Sequence, residues 1–192
     1  MPAENAEAWL YAAVQYQVES RGREFVMNDN IADVVKQLSK VLTEGSYRFG
    51  LHFCGGCGNG KTTFVKTIRQ LINRFNIRIE EGYPDTWSLR MMDAREIADL
   101  AKNDNSTWLE LCRVRMLAID DLGTEPVEVL DYGNVLYPLI DLLTRRYDRQ
   151  LFTIITTNLT SDEIRAKYGE RIADRLNEMM TKIVFRDETF RH

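Results

Sequence analysis

Two apolar periods alternate along this chain. Residues 3–20, "AENAEAWLYAAVQYQVES", place Trp9, Leu10, Ala13, Val14 and Val18 on one helical face, and Arg21-Gly22-Arg23 ends the run. Ile31, Val34, Val35, Leu38, Val41 and Leu42 repeat the pattern as the buried face of a helix over 31–42. Asn28 to Asn30 are its cap candidates and Gly45 its stop. The next apolar run, "FGLHFCG" (49–55), is short, continuous and bounded by glycine, as a buried strand would be. A helix follows from Lys61 to Phe75, then a Gly/Pro/Asp-containing loop or broken insertion at 76–87. Further strands are predicted at 88–94, 116–120, 151–157 and 182–187. Between them lie helices at 94–101, 107–114, 161–167 and 170–180. Another helix is predicted at 135–148, capped by Asn134, with Pro138 tolerated in its first turn.

Strands alternate with helices throughout, and the middle strands are apolar at nearly every position. That pattern predicts an α/β three-layer domain around a parallel sheet. The length, 192 residues, suits one domain: residues 1–45 as a helical segment packed on a core of 46–192. No repeat, low-complexity tract or linker interrupts it.

Composition narrows the function classes. Hydrophobic content is 44% and charged content 28%, as in soluble globular proteins. The net charge of −4 excludes a bulk nucleic-acid coat, so contact with DNA requires a local basic patch. The chain has no apolar run long enough to span a membrane, and "MPAENAEAWL" lacks the basic and apolar regions of a secretory signal. Three cysteines do not make a disulfide framework, and a cytoplasmic protein is expected.

One stretch carries specific chemistry. Residues 54–63, "CGGCGNGKTT", follow a predicted strand, open a predicted helix and contain the complete pattern G-x4-G-K-[ST] from Gly55 to Thr62. Phosphate oxygens need many N–H donors at close range, and side chains would block that approach. The stretch Gly55, Gly56, Cys57, Gly58, Asn59, Gly60 therefore reads as a phosphate cradle, backed by the positive end of the following helix. Lys61 would reach the β- and γ-phosphates of ATP, the Thr62 hydroxyl would ligate Mg²⁺, and Thr63, just past the motif, is expected beside the nucleotide. The competing reading, a thiol or zinc site at Cys54 and Cys57, lacks a second cysteine pair.

Three later stretches supply partners. "MLAIDDLG" (116–123) ends an apolar strand in Asp120 and Asp121. Asp120 would hold Mg²⁺ and Asp121 would polarise the attacking water; an Asp-rich turn is the plainer alternative. Asn158, after "TIITT", either orients that water or caps the next helix. Arg171 and Arg175 lie four apart on one helix face, opposite Ile172, Leu176 and Met179. They are either solvated and paired with Glu170, Asp174 and Glu178, or one of them reaches a neighbouring subunit's phosphate.

The blocks "GGCGNGKTT", "MLAIDDLGTEP", "YDRQLFTIITTNLT" and "YGERIADRLNEM", in this order, resemble the DnaC/DnaI-type helicase loaders and the related IstB-type transposition helper ATPases of the AAA+ superfamily. The resemblance covers about residues 25–192. It implies a P-loop NTPase with a five-stranded parallel sheet, a short N-terminal helical collar and no separate lid domain. ATP and Mg²⁺ are the implied ligands, and slow ATP hydrolysis the activity. Head-to-tail self-assembly on single-stranded DNA is implied, with a replicative helicase or a transposase as partner. On matching positions, Asp120 is similar to the Mg²⁺-site aspartate, and Asp121 stands where many AAA+ proteins carry a catalytic glutamate. Asn158 is similar to the sensor-1 residue, and Arg175, with Arg171 beside it, to the arginine finger. Arg191 is similar to a late arginine that contacts nucleotide in cis. Only about fifty residues precede the loop, too few for the domain with which such loaders grip a helicase. The 76–87 insertion carries Glu80, Glu81 and Asp85 beside Arg78, a poor grip for DNA. A nucleotide-switched binding module with little hydrolysis is the reading from another class.

Overall fold

The computed structural model describes residues 3–44, 47–80 and 84–186. The chain divides into two compact units, each with its own core. One comprises Met1–Tyr47, Gly56–Leu89 and Ile183–His192; the other comprises Arg48–Gly55 and Arg90–Lys182.

The second unit carries the strands. These are β1 (Gly50–Cys54), β2 (Arg90–Asp93), β3 (Met116–Leu122), β6 (Phe152–Thr157) and the start of β7 (Met180–Val184). They form a five-stranded sheet in the order β2-β3-β6-β1-β7. Pairings β1/β6, β2/β3 and β3/β6 are parallel, as the strand–helix alternation predicts. The middle of the sheet is the driest part: Leu117, Ala118, Ile119, Ile154 and Ile155 are fully buried, which is why β3 and β6 read as unbroken apolar runs. Helices α4 (Ala94–Asn103), α5 (Asn105–Leu111), α6 (Pro138–Asp148), α7 (Ser161–Tyr168) and α8 (Glu170–Met179) complete this unit. Asp93 caps α4 by accepting from Arg95 N–H at 2.8 Å, and Asp104 caps α5 through Thr107 N–H at 3.1 Å.

One feature departs from the sequence reading. Asn134 does not cap a helix. Residues 129–136 form a two-stranded antiparallel hairpin, β4 (Val129–Asp131) and β5 (Asn134–Leu136). Tyr132 and Gly133 turn it, both at positive φ (46° and 86°). The helix begins only at Pro138, which supplies a preset φ at its first position. Arg146, which the sequence reading did not single out, is fully buried and is held by uncharged oxygens. Its guanidinium donates to Leu111 O (2.9 Å), Val114 O (2.8 Å), Phe152 O (2.7 Å) and Thr153 Oγ1 (2.9 Å). A single planar fork thus satisfies carbonyls at the end of α5, before β3 and at the start of β6.

The first unit packs α1 (Ala3–Glu19) against α2 (Asp29–Glu44) and α3 (Lys61–Phe75). Leu10, Val14, Val34, Val35, Leu38, Val65 and Ile68 are buried, as the helical period predicts, but Leu42 is 41% exposed. The α2 cap is Asn28, whose Oδ1 accepts from Ile31 N–H at 2.9 Å. Beyond β7, Phe185 stacks edge-on against Phe64 at 5.3 Å. Arg186 N–H donates to Asn30 Oδ1 at 3.0 Å, and its guanidinium pairs with Asp33 at 2.6 Å. The last strand therefore runs 180–184, two residues earlier than 182–187 at its start, and Asp187 lies outside the described residues. Of the 76–87 insertion, Arg78 and Thr86 form an isolated antiparallel bridge, and residues 81–83 are not described.

Candidate functional site

The glycine-rich loop leaves β1 and enters α3 at Lys61. Gly58 and Gly60 have φ of 81° and 94°, a region that side chains disfavour. Gly60 occupies the N-cap of α3 and has no side chain to cap the helix or to block an approaching anion. Lys61 is 5% exposed, and its ammonium donates to Gly56 O at 2.6 Å and Asn59 Oδ1 at 3.1 Å. Asn59 is itself buried and donates to Phe185 O at 3.3 Å, which ties the loop to the end of the last strand. A buried cation at the N-terminus of a helix suits the charge of a polyphosphate. Cys54 and Cys112 are buried free thiols and Cys57 is an exposed one. Among the described residues no group of His, Cys, Asp and Glu could hold a metal ion alone.

In the other unit, Asp120 and Asp121 stand on a β-bulge. Ile119 pairs with Ile155 and Leu122 with Thr157, so both aspartates face the single residue Thr156. The Thr156 hydroxyl donates to Asp120 Oδ1 at 2.6 Å and accepts the Asp121 N–H at 2.8 Å. Asp121 is pushed to φ 53°, a left-handed conformation that aspartate tolerates better than most residues. The Asp-rich-turn alternative is thus partly right, since Asp121 O accepts from Thr124, but the turn begins with a bulge inside the strand. Asn158 is exposed just past β6. The capping alternative for it falls away: Thr160 caps α7 in a reciprocal box with Glu163. That box draws the Glu163 carboxyl below its ordinary pKa, through the Thr160 N–H and hydroxyl.

The two arginines part company. Arg171 is exposed. Arg175, expected to point away from the core, has a side chain only 13% exposed. Its guanidinium lies 4.7 Å over the Tyr147 ring and pairs with Asp148 at 3.2 Å. The α8 face it occupies is covered by the end of α6, so the apolar stripe is wider than the sequence suggests. Two of the three expected carboxylates are engaged elsewhere: Glu178 accepts from Tyr147 Oη at 2.6 Å, and Glu170 pairs with Arg165. Arg191 lies outside the described residues.

Sequence reasoning missed a buried carboxylate, Glu125, 2% exposed. It accepts from Gly123 N–H at 2.9 Å and from the Tyr168 hydroxyl. Burial, then the bond to Glu125, push the Tyr168 phenol upward, so the proton stays on the phenol. Lys167 closes the same turn, donating to Gly123 O and Glu125 O, both at 2.7 Å. The available signal was "GTEP", a glutamate in a turn next to an acidic strand end.

No protein-family model and no curated protein sequence matches the chain. Solved structures do. A DnaC helicase loader is 22% identical, with 84% of this chain and 93% of that one covered at a TM-score of 0.62. DnaI is 17% identical, with 91% and 93% covered at 0.64. A replication initiator DnaA bound to AMPPCP and single-stranded DNA is 12% identical, with 91% and 50% covered at 0.61. The chain shares the fold of these DnaC and DnaI structures, as the resemblance of the four sequence blocks implies.

Proposed function

We propose that this chain binds and hydrolyses ATP as an AAA+ protein of the DNA-replication helicase-loader type, assembling head to tail with copies of itself on single-stranded DNA. The observation that carries the reading is the loop before α3. It presents the buried Lys61 ammonium at the N-terminus of a helix whose cap residue is a glycine at positive φ. In this reading Gly55 to Gly60 wrap the phosphates with backbone donors, and Lys61 exchanges Gly56 O and Asn59 Oδ1 for phosphate oxygens. Thr62 and Asp120 hold Mg²⁺, which, when bound, offsets the charge of the phosphates. Thr156 keeps the Asp120 carboxylate in place. Asp121 accepts the proton of the attacking water, and Asn158 orients it. Arg171 and Arg175 serve a neighbour's phosphates, and Arg191 the nucleotide of its own subunit.

A DnaC loader, DnaI and a DnaA held with a nucleotide analogue and single-stranded DNA share the fold, and this favours a role in replication over other P-loop chemistry. A replicative helicase is the partner this reading favours; a transposase is the alternative. Arg175 is held by Asp148 within its own chain, so an isolated subunit lacks an extended finger and turnover alone should be slow. The test is Mg²⁺-dependent phosphate release with and without single-stranded DNA, for the parent and for Asp120→Asn. Turnover lost in the variant supports the reading. Equal rates in parent and variant, or no turnover by the parent under either condition, overturn hydrolysis at this site.

A further inference from the structure

The turn after β3 is held by an unusual number of polar groups. Asp121 N–H goes to Thr156 Oγ1 at 2.8 Å, and Leu122 O accepts from Thr157 Oγ1 at 2.6 Å. Gly123 N–H goes to Glu125, and Gly123 O and Glu125 O both accept from Lys167. Thr124 O accepts from Arg95 Nε at 3.3 Å. A Cβ on Gly123 would come within 2.6 Å of Leu159 Cδ1, so the turn is closed sterically as well. A solvated turn needs none of this, because water would satisfy the same groups. Burying a carboxylate to hold one N–H is costly unless its other oxygen is also bonded. Tyr168 supplies that bond.

What the grip holds is the left-handed Asp121, a conformation that persists only where its surroundings fix it. We propose that Glu125 and Tyr168 are positioning residues for Asp121, a buried acid–phenol clasp that fixes the turn through Gly123 and so fixes the direction of the Asp121 carboxylate. This rests on the reading of Asp121 as the residue that takes the water's proton. Tyr168 closes α7 and Gly169 opens α8, so the clasp also anchors the start of the helix bearing Arg171 and Arg175. Tyr168 and Glu125 do not touch nucleotide in this account; they act through the backbone of residues 121–123.

The experiment uses the full chain and three variants, Tyr168→Phe, Glu125→Gln and Asp121→Asn, at a temperature where melting curves show each folded. Three quantities are read: amide hydrogen exchange at Asp121 and Gly123, affinity for a fluorescent ATP analogue, and kcat with KM for ATP. In Tyr168→Phe, exchange at Gly123 should quicken about tenfold or more as the turn opens locally. Analogue affinity and KM should stay within about twofold while kcat falls about tenfold or more, the pattern of a misdirected catalytic group. Glu125→Gln, which keeps the shape and can still accept from Tyr168, should recover part of kcat relative to Tyr168→Phe. Unchanged exchange in Tyr168→Phe overturns the clasp whatever the chain does to ATP. Faster exchange with parent kcat, while Asp121→Asn is inactive, overturns positioning and leaves the reading of Asp121 standing. Parent turnover in Asp121→Asn overturns that reading and the proposal with it.

Discussion

The Thr156 hydroxyl donates to the Asp120 carboxylate at 2.6 Å while accepting the Asp121 N–H at 2.8 Å. One hydroxyl on β6 thus fixes both acidic positions of a bulge on β3. Thr156→Val keeps the shape and β-branching but removes this partner from a part-buried N–H and a part-buried carboxylate oxygen. It should lower stability by about 1–3 kcal/mol, read as a lower urea midpoint, and should depress ATP turnover further than Thr157→Val. An unchanged midpoint would show that water replaces the hydroxyl.

Arg146 tests a different link, from packing to stability. Arg146→Met fills similar volume but leaves three carbonyls and the Thr153 hydroxyl without their donor. A loss of about 3 kcal/mol or more is expected in chemical denaturation. Arg146→Lys should restore little, because a single ammonium cannot span four acceptors spread over three segments of the chain. Parent stability in Arg146→Lys would contradict the fork argument.

These two residues show where the sequence was legible. The strands at 49–55, 116–120 and 151–157 were readable because a buried parallel strand leaves a continuous apolar run, and the loop because its chemistry demands residues at fixed spacing. The hairpin at 129–136 was not, since three-residue strands carry no period and its turn uses Tyr132 where asparagine or glycine is the usual sign. Thr156 looked like any β-branched strand residue. Its role depends on a register shift in the neighbouring strand. Arg146 reads as a solvated helix charge, because only the tertiary fold brings the carbonyls to it. Arg175 was misplaced for a related reason: its helix face is covered by Tyr147 and Asp148, distant in sequence.

His52 gives a pH signature. It is 5% exposed on β1, and burial first, then the Lys182 charge, lower its pKa to about 4. The unfolded chain titrates near the ordinary 6.5, so between these values the unfolded state takes up a proton that the folded state refuses. Stability should therefore be unaffected by this group above pH about 6.5 and fall as pH drops toward about 4. The exposed Asp104 carboxyl, lowered to about 2 by the Ser106 and Thr107 hydroxyls and the Thr107 N–H, acts in a separate, more acidic window. Melting temperature should fall as pH is lowered across the His52 window, and His52→Leu should flatten that dependence. An equal slope in the variant would assign the loss to other groups.

Assembly is tested through Arg175. To serve a neighbour it must leave Asp148 and the Tyr147 ring, so a finger role would need a phosphate that outcompetes them. Arg175→Ala should keep ATP binding and lose about 10³-fold in turnover. Mixing it with Lys61→Ala should restore part of the rate, because one interface joins an intact Lys61 to an intact Arg175. No recovery at concentrations where sedimentation shows mixed oligomers would leave Arg175 as a structural residue of the α6–α8 contact.

The account turns on whether the loop from Gly55 to Thr63 is a nucleotide cradle, and a calorimetric titration of ATP with Mg²⁺ into the parent chain and Lys61→Ala asks this directly. The parent should bind one nucleotide per chain. The variant, without the buried ammonium, should bind at least about tenfold more weakly while melting at a similar temperature. Equal affinities, or no binding by the folded parent, would contradict the account.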